Sequence, residues 1–179
     1  MSLGMPASSL AKKVFDTAHI TGSFKLRSGV TSSEYFDKYR FEANPALLKE
    51  IAVELAKKIP RPADFDALAG LEMGGIPIAT MLSQLTGRPT LFIRKQAKEY
   101  GTCRFAEGGE VKGRKLLIVE DVVTSGGAIL DSVRALRSDG AVISQVVCVI
   151  DRQSGGLENL AKEGLTLTSL FTMADLKKA

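Results

Sequence analysis

Two adjacent carboxylates, Glu120 and Asp121, follow an apolar run over residues 116–119. After two valines comes a turn rich in hydroxyls and glycine, over residues 124–127. A carboxylate at the end of a buried strand can accept hydrogen bonds from sugar hydroxyls. The N–H groups of a glycine turn, with the positive end of a following helix, can hold a phosphate dianion. The pattern predicts a sugar-phosphate site, and its structural alternative is a helix cap with solvated acidic side chains.

A second group of residues offers positive charge. Arg94, Lys95 and Lys98 place three cations within five residues. Cations at this density can neutralise a diphosphate leaving group. They open a polar, glycine-spaced segment, residues 94–114, without sustained periodicity, which is typical of a functional or mobile loop. The alternative is a solvated basic loop.

These residues need a scaffold, and the pattern from residue 65 onward predicts one. Apolar runs at residues 65–69, 90–93, 116–123, 142–150 and 165–171 alternate with helical patterns at 76–85, between the turn at 124–127 and Asp139-Gly140, and at 157–163. Such alternation favours an α/β fold with a mostly parallel sheet and helices on both faces. The carboxyl ends of such strands are where ligands bind, so the acidic pair is predicted to lie at the binding edge.

The N-terminal part has a different pattern. A helix is predicted from Ser8 or Ser9 to about Thr17, and two short strands around a polar turn are predicted over residues 22–41. Asn44 and Pro45 then give a cap and a first helical residue for a helix that ends before Pro60. A short helical tail is predicted for residues 174–178.

Composition limits the remaining classes. The chain has 179 residues, 45% hydrophobic and 25% charged, with a net charge of +4. This length predicts one domain. One histidine and two cysteines leave almost no material for a zinc site or a histidine-based triad. There is no apolar run of membrane-spanning length and no leader pattern, so we expect a cytoplasmic protein. The basic residues are dispersed without a nucleic-acid motif, so no nucleic-acid or membrane partner is expected.

The acidic-pair segment carries a family resemblance. Residues 119–128 resemble the phosphoribosyl diphosphate-binding signature of the type I phosphoribosyltransferases: an acidic pair between apolar residues, then Thr, a small residue and Gly. Residues 94–101 resemble the mobile-loop signature of the orotate phosphoribosyltransferase family, Arg-Lys-x-x-Lys-x-His-Gly. Together these two motifs point to one group within the larger superfamily.

Three further segments carry the same resemblance, which spans about residues 22–153. Residues 24–29, followed by Tyr35 and Phe36, are similar to the family's N-terminal hood. Residues 151–153 match its Asp-Arg-Gln, whose arginine faces the orotate carboxylate. Residues 70–77 resemble its diphosphate loop. Three positions depart from the family: Arg27 and Gly74 stand where lysine is common, and Tyr100 stands at a catalytic histidine position.

The resemblance implies a type I phosphoribosyltransferase-like fold in one domain, with a hood at about residues 7–43 and a core at 44–179. It implies transfer of the phosphoribosyl group from phosphoribosyl diphosphate to orotate, giving orotidine 5′-monophosphate and diphosphate in pyrimidine synthesis. Magnesium is expected as the cofactor, held mainly by substrate oxygens. A homodimer whose mobile loop is shared between subunits is implied too. Two alternatives stay open: a phosphoribosyltransferase for another nucleobase, and a non-catalytic nucleotide-sensing regulator.

The resemblance also assigns residues to roles. Lys98, Asp121 and Glu120 are expected to be catalytic, and Tyr35, Phe36, Thr124 and Arg152 to bind orotate. The residues expected to bind phosphoribosyl diphosphate are Arg27, Met73, Gly74, Arg94, Lys95, Lys98, Tyr100, Glu120, Asp121, Val122, Val123, Thr124, Ser125, Gly126, Gly127 and Ala128.

Overall fold

The computed structural model describes residues 7–25, 29–96 and 105–179. Within these ranges the chain forms seven α-helices and eight strands, with a short 3₁₀ turn at Pro62–Asp64. The helices are α1 (Ala7–Ala18), α2 (Tyr39–Glu42), α3 (Pro45–Ala56), α4 (Gly75–Thr86), α5 (Gly127–Ser138), α6 (Gly156–Lys162) and α7 (Met173–Lys178). The strands are β1 (His19–Lys25), β2 (Thr31–Phe36), β3 (Ala67–Leu71), β4 (Thr90–Ile93), β5 (Ala106–Glu107), β6 (Lys115–Val123), β7 (Val142–Asp151) and β8 (Thr166–Thr172).

Six strands form the main sheet in the order β5-β4-β3-β6-β7-β8. Every neighbouring pair is parallel except β4 and β5. The strand β6 therefore lies in the middle, between β3 and β7. Strands β1 and β2 form a separate antiparallel pair near the N-terminus. The prediction of a mostly parallel sheet with a small N-terminal hood is confirmed.

Apolar side chains from the sheet pack against helices on both faces. One core cluster joins α1, α3, α4 and α7 to residues such as Leu117 and Val119 of β6. The other joins α5 and α6 to Ile118 of the same strand. Consecutive residues of β6 thus enter opposite cores, which explains why the strand is almost continuously apolar.

Local signals set the helix ends. The Asn44 side chain accepts the Leu47 N–H at 3.1 Å and Pro45 begins α3, as the sequence predicts. Gly87 ends α4 with φ of 69°, a left-handed conformation that suits glycine. A capping box between Thr172 and Asp175 begins α7.

Two parts of the chain differ from the sequence prediction. The predicted second strand extended through the aromatic residues to Phe41, but β2 ends at Phe36 and residues Tyr39–Glu42 are helical. Phe41 is fully buried in the core with α1 and α3, and a helical turn lets it point there. The short strand β5 was not predicted, and it exists because Ala106 pairs with Ile93 at the sheet edge. No helix in the described ranges has the length and apolar character needed to cross a membrane.

Candidate active site

The acidic pair lies at the carboxyl end of the central strand β6. Asp121 is fully buried, whereas Glu120 is partly exposed. The Asp121 N–H donates to Glu120 Oε1 at 2.9 Å, and the Val122 N–H donates to Asp121 Oδ1 at 2.5 Å. These local bonds hold both carboxylates at the strand end, where the sequence predicted them.

Two residues from the N-terminal region close over Asp121. The Lys38 Nζ lies 2.6 Å from Asp121 Oδ2, and the Glu42 side chain is buried beside them. At this distance the Lys38 ammonium and the Asp121 carboxylate form an ion pair. Sequence patterns did not single out either residue, since nothing local links them to a strand so distant in the chain.

The close packing of these carboxyls shifts their pKa values. Burial, followed by the nearby Asp121 carboxylate, raises the pKa of Glu42 to about 9 and raises that of Glu120 well above its ordinary value. Burial opposes ionisation of Asp121 too, but interactions with Glu120 and Lys38 lower its pKa overall. Near neutral pH the arrangement therefore favours an ionised Asp121 beside a protonated Glu42.

The hydroxyl- and glycine-rich turn connects β6 to α5. Gly126 has φ of 80° and precedes the first residue of the 12-residue helix α5. Across the turn lies α6, whose Asn159 side chain donates to the Ser125 carbonyl at 3.1 Å. A Cβ on Gly156 would be 2.6 Å from the Thr124 carbonyl oxygen, so α6 packs closely against this turn. The turn thus presents backbone N–H groups at a helix N-terminus, which is a favourable place for phosphate.

A large cavity, about 690 Å³, lies between this turn and the hood. Its lining includes all four residues expected to bind the base: Tyr35, Phe36, Thr124 and Arg152. Arg152 follows β7, and its backbone N–H donates to the Val123 carbonyl at 2.9 Å, which ties this loop to the end of β6. Two aromatic residues and the exposed Arg152 thus line one space.

A second cavity, about 380 Å³, is lined by four of the residues expected to bind phosphoribosyl diphosphate. It is lined by Glu120 and Ala128 and by the cations Arg94 and Lys95. The Lys95 N–H donates to Glu72 Oε2 at 2.8 Å, which ties the start of the cationic segment to the loop after β3. Glu120 therefore lines the 380 Å³ cavity, whereas Thr124 and Arg152 line the 690 Å³ cavity.

The loop after β3 passes directly over the acidic pair. Its Glu72–Met73 peptide bond is cis, and Met73 is 56% exposed. Gly74 lies so close to Asp121 that an added Cβ would overlap the carboxylate. The expected contacts of Met73 and Gly74 with ligand therefore fall at a position adjacent to Asp121.

The other residues expected to bind phosphoribosyl diphosphate differ in what the structure describes of them. Arg27, Lys98 and Tyr100 lie outside the described residues. Val123 is 1% exposed with its side chain in the core, so only its backbone can take part in binding. Ser125, Gly127 and Ala128 are exposed at the turn, and Val122 lines the large cavity.

The described part of the chain holds no group of three His, Cys, Asp or Glu side chains that could bind a metal ion. Mg²⁺ commonly keeps waters and substrate phosphates as ligands and takes few from the protein. The partly exposed Glu120 and the cavity that it lines fit a cation that arrives with a diphosphate, but the described residues form no protein cage for it.

Comparisons with known proteins agree with this geometry. Residues 39–173 match the model of the phosphoribosyl transferase domain. Over 170 residues the chain is 51% identical to an orotate phosphoribosyltransferase of Nocardioides sp., covering 95% of this chain and 94% of the relative. The fold superposes on the crystal structure of orotate phosphoribosyltransferase from Aeropyrum pernix with a TM-score of 0.82, 32% identity and coverage of 94% and 96%.

A third comparison concerns a structure with bound ligand. The Mycobacterium tuberculosis orotate phosphoribosyltransferase in complex with 5-phospho-α-D-ribosyl 1-diphosphate has a TM-score of 0.78 and 29% identity. The match covers 96% of this chain and 98% of that one. Sequence relatives and solved structures agree on the same group across nearly the whole chain. The chain therefore belongs to the phosphoribosyl transferase domain family, within its group of orotate phosphoribosyltransferases.

Proposed function

We propose that this chain transfers the phosphoribosyl group of phosphoribosyl diphosphate to orotate, giving orotidine 5′-monophosphate and diphosphate in pyrimidine synthesis. The observation that carries the proposal is the 690 Å³ cavity, where Tyr35, Phe36, Thr124 and Arg152 converge beside the end of β6. Its lining combines aromatic surface for a planar base, a hydroxyl, and a guanidinium suited to a carboxylate. The 51% identity to a relative of that name supports it further.

The reaction breaks the bond from the anomeric carbon to diphosphate and forms a bond to the base nitrogen. Positive charge develops on the sugar ring and negative charge on the leaving group, so catalysis depends on electrostatic stabilisation. Glu120 and Asp121 accept hydrogen bonds from the ribose hydroxyls and lie near the cationic sugar. Residues 122–128 hold the 5′-phosphate through backbone N–H groups and the Thr124 and Ser125 hydroxyls.

The remaining roles concern the orotate base and the diphosphate leaving group. Arg152 forms a charged hydrogen bond with the orotate carboxylate, while Tyr35 and Phe36 contact the ring. Arg94, Lys95 and Lys98 neutralise the departing diphosphate, with Lys98 as the main contact and Arg27, Met73, Gly74 and Tyr100 around it. Mg²⁺ bound to the substrate supplies further positive charge to the leaving group.

A homodimer belongs to this proposal, with the segment that contains Lys98 reaching the neighbouring subunit's site. We also place the protein in the cytoplasm and expect neither nucleic acid nor membrane as a partner. These statements derive from the family resemblance and the sequence composition. The acidic pair is intact, which supports an enzyme over a non-catalytic regulator.

The base specificity is tested by measuring diphosphate release with a panel of bases. Purified protein is incubated with phosphoribosyl diphosphate, Mg²⁺ and, in separate reactions, orotate, uracil, adenine, guanine or hypoxanthine. We expect release above background with orotate, because Arg152 requires a carboxylate partner that the other four bases lack. Release with a purine and none with orotate would replace the proposal with the other-base alternative. The absence of release with every base would support the regulator.

A further inference from the structure

Lys38 forms an ion pair with the buried Asp121 and also lines the 690 Å³ cavity. Its Nζ lies 2.6 Å from Asp121 Oδ2, and its side chain is 33% exposed, while that of Asp121 is 0% exposed. The same side chain lines the cavity together with Thr124 and Arg152. A lysine between β2 and α2 thus links the end of β6 to the space proposed for substrate.

The surroundings leave Asp121 no other source of positive charge among the described residues. Lys38 is the cation that the described part of the chain places within ion-pair distance of it. On the adjacent side the Gly74 backbone lies against the carboxylate, and an added Cβ there would overlap it. A side chain at position 74 would therefore clash with the Asp121 carboxylate. The positive charge beside that carboxylate comes from Lys38.

Glu42 completes the enclosure. Glu42 Oε1 and Asp121 Oδ2 are both buried without a hydrogen-bond partner when each carboxyl is ionised. A proton on Glu42 turns that carboxyl into a donor toward Asp121, consistent with the raised pKa of Glu42. Asp121 is then held by the Val122 N–H on Oδ1, by Lys38 on Oδ2 and by Glu42 beside it.

We propose that Lys38 is a positioning residue for the transfer reaction, which fixes the orientation and charge of the Asp121 carboxylate at the end of β6. The proposal deepens the proposed function and rests on its assignment of Asp121 to the ribose hydroxyls. Without the ammonium, a buried carboxylate enclosed by Gly74 and Glu42 loses its charge partner and either binds a proton or turns away. Lys38 therefore acts through Asp121.

The test compares Lys38→Met, which keeps the aliphatic stem, with Lys38→Arg, which keeps the charge. We expect Lys38→Met to lower kcat by about 10- to 100-fold, the range for loss of a charged interaction, with the KM for orotate nearly unchanged. Lys38→Arg should recover most of that loss. Lys57→Met is the matched control, because Lys57 forms an ion pair of the same 2.6 Å length with Glu54 on an exposed helix end, and its kcat should equal the native value.

A second comparison separates a positioning role from a merely structural one. Lys38→Met combined with Asp121→Asn should be no slower than Asp121→Asn alone, because the lysine has nothing left to position. This pair of variants also serves if Lys38→Met fails to fold, since the double variant leaves no unpaired buried charge. A further loss of kcat in the double variant, native kcat in folded Lys38→Met, or an effect confined to the KM for orotate would each overturn the proposal.

Calorimetric binding of phosphoribosyl diphosphate keeps the two proposals distinguishable. A native chain that binds this substrate but does not react with orotate would remove the proposed function. In that case Lys38→Met should still bind phosphoribosyl diphosphate more weakly than Lys57→Met does, because the ribose contact does not depend on the base. Equal affinities of the two variants for phosphoribosyl diphosphate would overturn the role of Lys38. The proposed function would still be tested separately, by the reaction of the native chain with orotate.

Discussion

Arg152 follows the buried Asp151 at the end of β7, and the Asp151 carboxylate accepts the Gln153 N–H at 2.8 Å. This turn directs the Arg152 side chain into the large cavity. We expect Arg152→Ala to raise the KM for orotate by about 10- to 150-fold, the range for a charged hydrogen bond. The KM for phosphoribosyl diphosphate should change little. Steady-state kinetics with each substrate varied in turn measure both, and equal increases would show that Arg152 is structural.

Glu42 gives a prediction about stability and pH. The pKa of its carboxyl is about 9 in the folded chain, against an ordinary value near 4.5. Between these values the folded state keeps a proton that the unfolded state has lost, so rising pH weakens stability across that window. Glu42→Gln replaces the titratable carboxyl by an amide, which does not ionise and whose N–H groups can still donate toward Asp121. The Tm of the variant relative to the native chain should therefore increase steadily from pH 5 to pH 8.5.

The lowered pKa of Asp121 does not obscure this measurement. A carboxyl with a lowered pKa contributes stability that is lost only as pH falls below its ordinary value of 3.8, outside the window used here. Thermal unfolding at several pH values, with Glu50→Gln as a control on a half-exposed ion pair with Lys13, provides the comparison. A Tm difference that stays constant with pH would show that Glu42 is ionised in the folded chain.

At the scale of single residues, the sequence was informative where chemistry and spacing are local. The pair Glu120-Asp121 and the turn after it are contiguous, so their place at a strand end could be predicted. The partners Lys38 and Glu42 reach Asp121 only through tertiary packing. Their segment has strand-like aromatic spacing, and burial of Phe41 makes it helical instead, which turns Glu42 inward.

At the scale of elements, α6 supports the turn between β6 and α5 by close packing. Gly156→Ala would place a Cβ 2.6 Å from both the Thr124 carbonyl oxygen and Val123 Cγ1, so the turn or the helix must move. We expect unfolding stability to fall by about 1–3 kcal/mol, as for overpacking of a core. The KM for phosphoribosyl diphosphate should rise more than that for orotate.

Urea unfolding and substrate-specific kinetics measure these effects of Gly156→Ala. Lys162→Ala is the control, since it changes an exposed residue of the same helix. If Gly156→Ala leaves the KM for phosphoribosyl diphosphate native while stability falls, then the position of the turn does not depend on α6.

The elements themselves were largely predictable, because strand and helix patterns alternate from residue 65 onward, apart from the aperiodic segment at residues 94–114. The order of strands in the sheet was not predicted, since periodicity carries no information on which strands pair. The edge strand β5, Ala106–Glu107, is too short to produce a period of its own. It arises from pairing with β4, which local sequence does not encode.

At the scale of the whole molecule, the proposed homodimer leads to a complementation experiment. Lys98→Ala and Asp121→Asn are each expected to be nearly inactive. If Lys98 serves the partner's site, each hybrid dimer holds one site with both defects and one with neither. Activity should then return toward half of the native value per hybrid. Subunit exchange is checked separately with differently tagged chains, and no recovery despite exchange would show that the segment serves its own subunit.

The central claim is that this chain joins orotate to phosphoribosyl diphosphate at the end of β6. The most direct measurement follows the loss of orotate absorbance by native protein with phosphoribosyl diphosphate and Mg²⁺, alongside quantified orotidine 5′-monophosphate. We expect one product per orotate consumed, and a rate lower by about 10²-fold or more for Asp121→Asn, as for loss of a main electrostatic stabiliser. No consumption of orotate by folded native protein, or an equal rate in Asp121→Asn, would contradict this account.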